Sequence, residues 1–77
     1  MTDYMDIINK ALVDATNKTV EITTEMDLVK DGILDSLDSA VFLLNIEKAT
    51  SASLPEKEVE EGDLFNVGKL IEYLEKQ

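Results

Sequence analysis

The chain has 77 residues, 44% of them apolar, with seventeen carboxylates against seven lysines and a net charge of −10; that length holds one domain, residues 1–77, since two cores need about twice as much chain. Cysteine, histidine and arginine are absent, which excludes disulfides, thiol nucleophiles, histidine zinc sites, Ser-His-Asp catalysis and bidentate phosphate clamps. The acidic balance argues against nucleic acid and anionic membranes, no run nears the ~18 apolar residues of a membrane span, and Met1–Asp6 has neither the basic nor the apolar region of a secretory leader, so a cytoplasmic protein is expected.

Residues 3–16 carry the first helical pattern. Tyr4, Ile7, Ile8, Ala11, Leu12 and Ala15 line one face, while Asp3, Asp6, Asn9, Lys10 and Asp14 fall elsewhere. Thr2 is the expected N-cap, and Asp3 suits the positive end of the helix dipole. Residues 17–35 have no long period. Val20 and Ile22 alternate with polar neighbours, but no second strand exists to pair with them, so the segment is expected to be loop. Thr24 followed by Asp27 is positioned to cap a short turn, which Gly32 ends. A loop this long must be tied down by its own apolar residues, here Leu28, Ile33 and Leu34.

The second helix is expected over residues 36–49, with Asp35 as N-cap and Asp38 in the place of a capping-box acid. It has two apolar arcs. At about 100° per residue, Phe42, Leu43 and Ile46 share one arc, with Ser39 among them, and Leu37, Ala40, Val41 and Leu44 share the opposite one. A surface helix needs a single stripe. Either the third helix covers the second stripe, or Leu37, Val41 and Leu44 stay exposed for docking. Small residues 50–54 then lead to Pro55, which suits the first turn of a short third helix over 55–61, closed by Gly62. Asn66 caps the last helix, where Val67, Leu70, Ile71 and Leu74 keep helical spacing. The expected fold is all-α: a four-helix bundle with a short third helix and a long loop between helices one and two.

Ser36 opens the second helix within Asp31-Gly32-Ile33-Leu34-Asp35-Ser36-Leu37-Asp38. Free N–H groups and the helix dipole favour an anion there, so a phosphate ester on its hydroxyl would be stabilised. An Asp-Ser-Leu tripeptide is also an ordinary way to start a helix. The wider order of motifs adds to it: Glu47 late in the second helix, Leu54-Pro55-Glu56 before the third, and Asn66-Val67 with Ile71 and Tyr73 in the fourth. Over nearly its whole length the chain resembles the acyl carrier protein family, including its peptidyl and D-alanyl carrier relatives.

That resemblance implies a group carrier that performs no catalysis of its own. Ser36 would carry 4′-phosphopantetheine, transferred from coenzyme A by a phosphopantetheinyl transferase with Mg²⁺, and the arm's thiol would hold cargo as a thioester. Asp35, Leu37, Asp38, Val41, Leu44 and Glu47 would meet partner enzymes: the transferase, an acyl- or aminoacyl-loading ligase, and an acyltransferase or synthase. A monomer is implied, since such a carrier visits several enzymes. Met5, Met26, Leu43, Leu44 and Ile46 are soft enough to line a shelter for an acyl chain. Several positions depart from the fatty-acid carriers: Ile33-Leu34 stands where many have Gly-Ala, Val41 and Lys48 where Glu is usual, and Ala49-Thr50 where an acidic-aromatic pair ends the helix. The Asp-Gly-Ile-Leu-Asp-Ser-Leu form resembles carriers of specialised pathways and D-alanyl carriers, and the other departures imply a docking surface more apolar and less acidic than that of the fatty-acid carriers.

Two other readings belong to different classes. Asp27 to Asp38 can be aligned with a twelve-residue calcium loop, placing Asp31, Gly32, Asp35 and Asp38 at positions 5, 6, 9 and 12, but Val29 offers no ligand at position 3 and Asp38 replaces the bidentate Glu. A plain acidic helical adaptor would use the second stripe of the second helix and need no modification.

Overall fold

A computed structural model describes residues 3–77 of the chain. Four helices follow one another: α1 Tyr4–Thr16, α2 Ser36–Thr50, α3 Glu56–Gly62 and α4 Val67–Glu75. Among the described residues there is no strand, only one isolated antiparallel bridge between Asp27 and Asn66. The fold is the expected all-α bundle, with a short α3 and a long α1–α2 loop.

The helices enclose one core. Ile8, Ala11 and Leu12 enter it from α1, Phe42 and Ile46 from α2, Val59 from α3, and Val67, Leu70 and Leu74 from α4. Leu28, Leu34, Leu54 and Leu64 complete it from the connections. Phe42 packs beside Phe65, ring centroids 6.5 Å apart. Asn45 Nδ2 donates to the Ala11 carbonyl at 3.3 Å and fixes the register of α1 against α2.

The long loop is held by its backbone as well as by Leu28, Leu34 and the half-buried Ile33. The first N–H groups of a helix have no intrahelical acceptor. For α4 the loop supplies them: Val67 N–H donates to the Met26 carbonyl and Gly68 N–H to the Thr24 carbonyl, each at 2.9 Å, while Leu28 N–H donates to Phe65. Gly68 is required by this approach, because a Cβ there would lie 2.9 Å from the Thr24 oxygen. Val20 and Ile22 are loop residues packed on the core.

Several ends of elements differ from expectation. Thr2 lies outside the described residues, and the N-cap of α1 is Asp3, whose carboxylate accepts from the Met5 and Asp6 N–H groups. Asp27, not Thr24, caps the turn that follows it: its Oδ1 accepts from Val29 and Lys30 N–H, and the Thr24 carbonyl is committed to α4. Pro55 stands just outside α3 as its N-cap, and α3 runs one residue further than expected. Gly62 is the last residue of α3; the left-handed residue that ends it is Asp63, at φ 52°. Aspartate tolerates that conformation better than most side chains, and Asp63 is also bridged to Lys69 at 3.4 Å and Lys30 at 4.0 Å. Asn66 caps α4 as its sequence indicates, accepting from Lys69 N–H.

Candidate functional site

Ser36 is the first residue of α2 and is exposed. Its position is set by Asp35, whose extended backbone precedes the helix and whose Oδ1 accepts from Asp38 N–H at 2.7 Å. That bond forms one half of a capping box. The N–H groups of Ser36 and Leu37 precede the first intrahelical bond, from Ser39 N–H to the Asp35 carbonyl, so the helix start presents unused donors beside the Ser36 hydroxyl. The nearby Ser39 differs: it is half-buried and its hydroxyl donates to the Ser36 carbonyl at 3.0 Å.

Beside Ser36 opens a cleft of about 400 Å³ between α2 and α3. Ser36, Ser39, Ala40, Leu43, Leu44 and Glu47 form its α2 wall, and Leu54, Glu56, Val59, Glu60 and Phe65 face them. Of the residues singled out for an acyl shelter, Leu43 and Leu44 line this cleft. Ile46 is instead fully buried in the core. Met5 and Met26 pack half-buried against the core and do not line the cleft. A second cleft, of about 440 Å³, lies between α1 and α2 beside Lys10 and Lys48, and contains nothing from the start of α2.

The two arcs of α2 separate cleanly. Phe42 and Ile46 are completely buried, whereas Leu37 is 79% exposed, Leu44 54% and Val41 43%. α3 faces Ala40, Leu43, Leu44 and Glu47 across the cleft and leaves Leu37, Val41 and about half of Leu44 exposed. Three of the four exposed large apolar residues of the described chain lie on this one stripe, Val29 being the fourth.

The remaining candidates divide. Asp35 is exposed, Asp38 is half-buried, and both are tied into the cap. Glu47 is turned inward: its Oε2 accepts from Leu54 N–H at 2.7 Å. The sequence reading missed this tie and missed Leu54, Val59 and Phe65 as cleft residues. The connector's small residues and the Leu54-Pro55 step marked a bend there, but not what the bend faces. The calcium-loop geometry does not form. Asp27 and Asp31 spend carboxylate oxygens on Val29, Lys30 and Asp27 N–H groups, α2 begins inside the twelve residues, and among the described residues no three acidic groups gather around one point. No described helix is long and apolar enough to cross a membrane.

Comparison with known proteins gives a consistent set of relatives. The chain is 33% identical over 78 residues to an acyl carrier protein of Amoebophilus asiaticus, covering 95% of both chains. It is 33% identical over 70 residues to an acyl carrier protein of Porphyromonas gingivalis, covering 91% of this chain and 82% of that one. Against an acyl carrier protein of Helicobacter pylori it is 32% identical over 56 residues, 73% of this chain and 69% of the other. No protein-family model matches the chain, and no solved structure does. With 33% identity over 95% of both chains in the first of these comparisons, and similar identity over at least two thirds of each chain in the others, the chain belongs to the acyl carrier protein family.

Proposed function

We propose that the chain is a single carrier domain that bears 4′-phosphopantetheine on Ser36 and presents acyl or aminoacyl intermediates to partner enzymes. The observation that carries this reading is the position of Ser36: an exposed hydroxyl at a helix start with unused N–H donors, on the rim of the α2–α3 cleft. The residues present fit a phosphodiester at that oxygen, since the Ser36 and Leu37 N–H groups at the helix start have no intrahelical acceptor and a helix start favours an anion. When bound, the arm supplies a thiol, the one reactive group a chain without cysteine lacks, and holds cargo as a thioester.

The chain's own residues then orient and recognise. In the transfer, the Ser36 oxygen displaces the adenosine bisphosphate half of coenzyme A at the pyrophosphate, and its proton leaves to a base of the transferase. Asp35 and Asp38 hold the serine at the helix start and present negative charge to that enzyme and its Mg²⁺. Leu37, Val41 and Leu44 offer partners an apolar face beside the arm, and the net charge of −10 steers encounters with basic surfaces. Between Asp35 and Lys48 the net charge is only −2. An apolar, weakly charged docking face favours a carrier of a specialised, D-alanyl- or peptidyl-type pathway over a fatty-acid carrier.

The test is intact mass after incubation with coenzyme A, Mg²⁺ and two unrelated, permissive phosphopantetheinyl transferases. The expected result is a gain of one phosphopantetheine by the wild type and none by Ser36→Ala. A folded wild type that gains nothing from either enzyme would overturn the reading and leave the acidic adaptor.

A further inference from the structure

We propose that Glu47 is a latch on the wall of the α2–α3 cleft and thereby sets the size of cargo the cleft admits. α3 is the most weakly fastened helix. It has seven residues, its N-cap Pro55 makes no side-chain capping bond, and Val59 is its only buried residue. The segment containing it, residues 52–62, runs between two residues with left-handed backbone, Ser51 at φ 60° and Asp63 at φ 52°. Neither is glycine, so both ends are points of local strain.

Besides the Thr50 hydroxyl, which accepts from Ala52 N–H at 3.2 Å where the connector leaves α2, two side-chain bonds fasten the connector ahead of α3. Tyr73 donates its hydroxyl to the Ser53 carbonyl at 3.1 Å. Glu47 Oε2 accepts from Leu54 N–H at 2.7 Å, a short, charge-assisted bond. The second bond matters more for the cleft. Leu54 is nearly fully buried and forms part of the wall opposite α2, and the next residue, Pro55, has no N–H to offer in its place. Without Glu47, Leu54 N–H loses its acceptor and the wall it belongs to loses a bond that fixes it to α2. Opposing the latch, Glu56 and Glu60 line the same cleft and repel Glu47, and no lysine lies among the lining residues. The bond therefore holds together two walls whose charges push apart. Glu47 is on this account a positioning residue that acts through Leu54.

The cargo half of this inference rests on the carrier reading, whereas the latch itself does not. Amide hydrogen exchange on the unmodified chain tests the latch. In Glu47→Ala, protection at Leu54 and through α3 should fall by about tenfold or more, with α1 and α4 largely unchanged. Glu47→Gln keeps an acceptor oxygen and should restore most of that protection. Unchanged protection at residues 54–62, or an equal loss across all four helices, would overturn the latch. The second arm uses chains loaded on Ser36 with straight acyl groups of increasing length and measures thioester cleavage by hydroxylamine. Glu47→Ala should shift the length dependence of protection; profiles identical to wild type would overturn the cargo role. If no arm can be attached to Ser36, the carrier reading fails, and the exchange data still decide the latch.

Discussion

Leu37 and Phe42, five residues apart on α2, should respond oppositely to the same truncation. Phe42 is completely buried beside Phe65. Phe42→Ala removes its contacts and leaves a cavity, at a cost of about 3–5 kcal/mol. A chain of this length has about 4–12 kcal/mol in all, so the truncation should remove at least about a quarter of the stability and, at the lower end of that range, all of it. Leu37 is 79% exposed. Full burial of a leucine contributes about 1.5–3 kcal/mol, so the fifth of Leu37 that is withdrawn from water contributes at most ~0.6 kcal/mol. Leu37→Ala should therefore keep its urea midpoint near that of wild type, by far-UV circular dichroism, at any protein concentration. It should also slow modification at Ser36, because the lost surface belongs to docking and not to folding. A loss of about 2 kcal/mol or more in Leu37→Ala would mean that the outer stripe of α2 is packed in solution, and would refute its assignment as a free face.

Three further outcomes are expected. Gly68→Ala should destabilise by about 1–3 kcal/mol, because the new Cβ meets the Thr24 backbone oxygen at 2.9 Å; an ordinary helical glycine would gain about 1 kcal/mol from the same change, so the sign of the shift in thermal unfolding decides. Ser51→Gly should raise stability by about 0.5–1 kcal/mol by relieving a left-handed C-cap; an unchanged or lower Tm would contradict that. Added salt should raise Tm. The molecule measures 28 × 27 × 22 Å, so its ten excess negative charges repel across the whole structure at ~0.01 M salt, where the Debye length is about 30 Å, and barely at all at ~1 M. The ion pairs that salt would weaken, those of Asp63, are exposed. A Tm that falls with salt would show that some attractive network outweighs the repulsion.

What the sequence revealed follows from the range of each interaction. Asp35 and Asn66 were legible as caps because a capping bond joins residues three apart, and α1 and α4 were legible because their apolar residues repeat on one face. The two arcs of α2 were legible too, but which arc stays open depends on where α3 packs, and no local pattern encodes that. Asp63 takes the left-handed position next to a glycine better suited to it, because α3 continues through Gly62. The docking of the long loop on α4 lay beyond reach, since it joins the Thr24 and Met26 carbonyls to N–H groups some forty residues later. Glu47 looked like one more surface carboxylate on a highly acidic chain. Its bond to Leu54 needs the bend at Ser51, which the small residues 50–54 mark without specifying.

The most direct measurement is site-resolved. The chain contains four serines: Ser36 opens α2, Ser39 lies one turn inside it, and Ser51 and Ser53 follow it. After incubation with coenzyme A, Mg²⁺ and a permissive transferase, the protein would be digested and its peptides fragmented in a mass spectrometer, with Ser39→Ala run alongside Ser36→Ala. Phosphopantetheine found on Ser36 alone, retained in Ser39→Ala and lost in Ser36→Ala, is the predicted result. The same group found on another serine, or persisting in Ser36→Ala, would contradict the account at its centre.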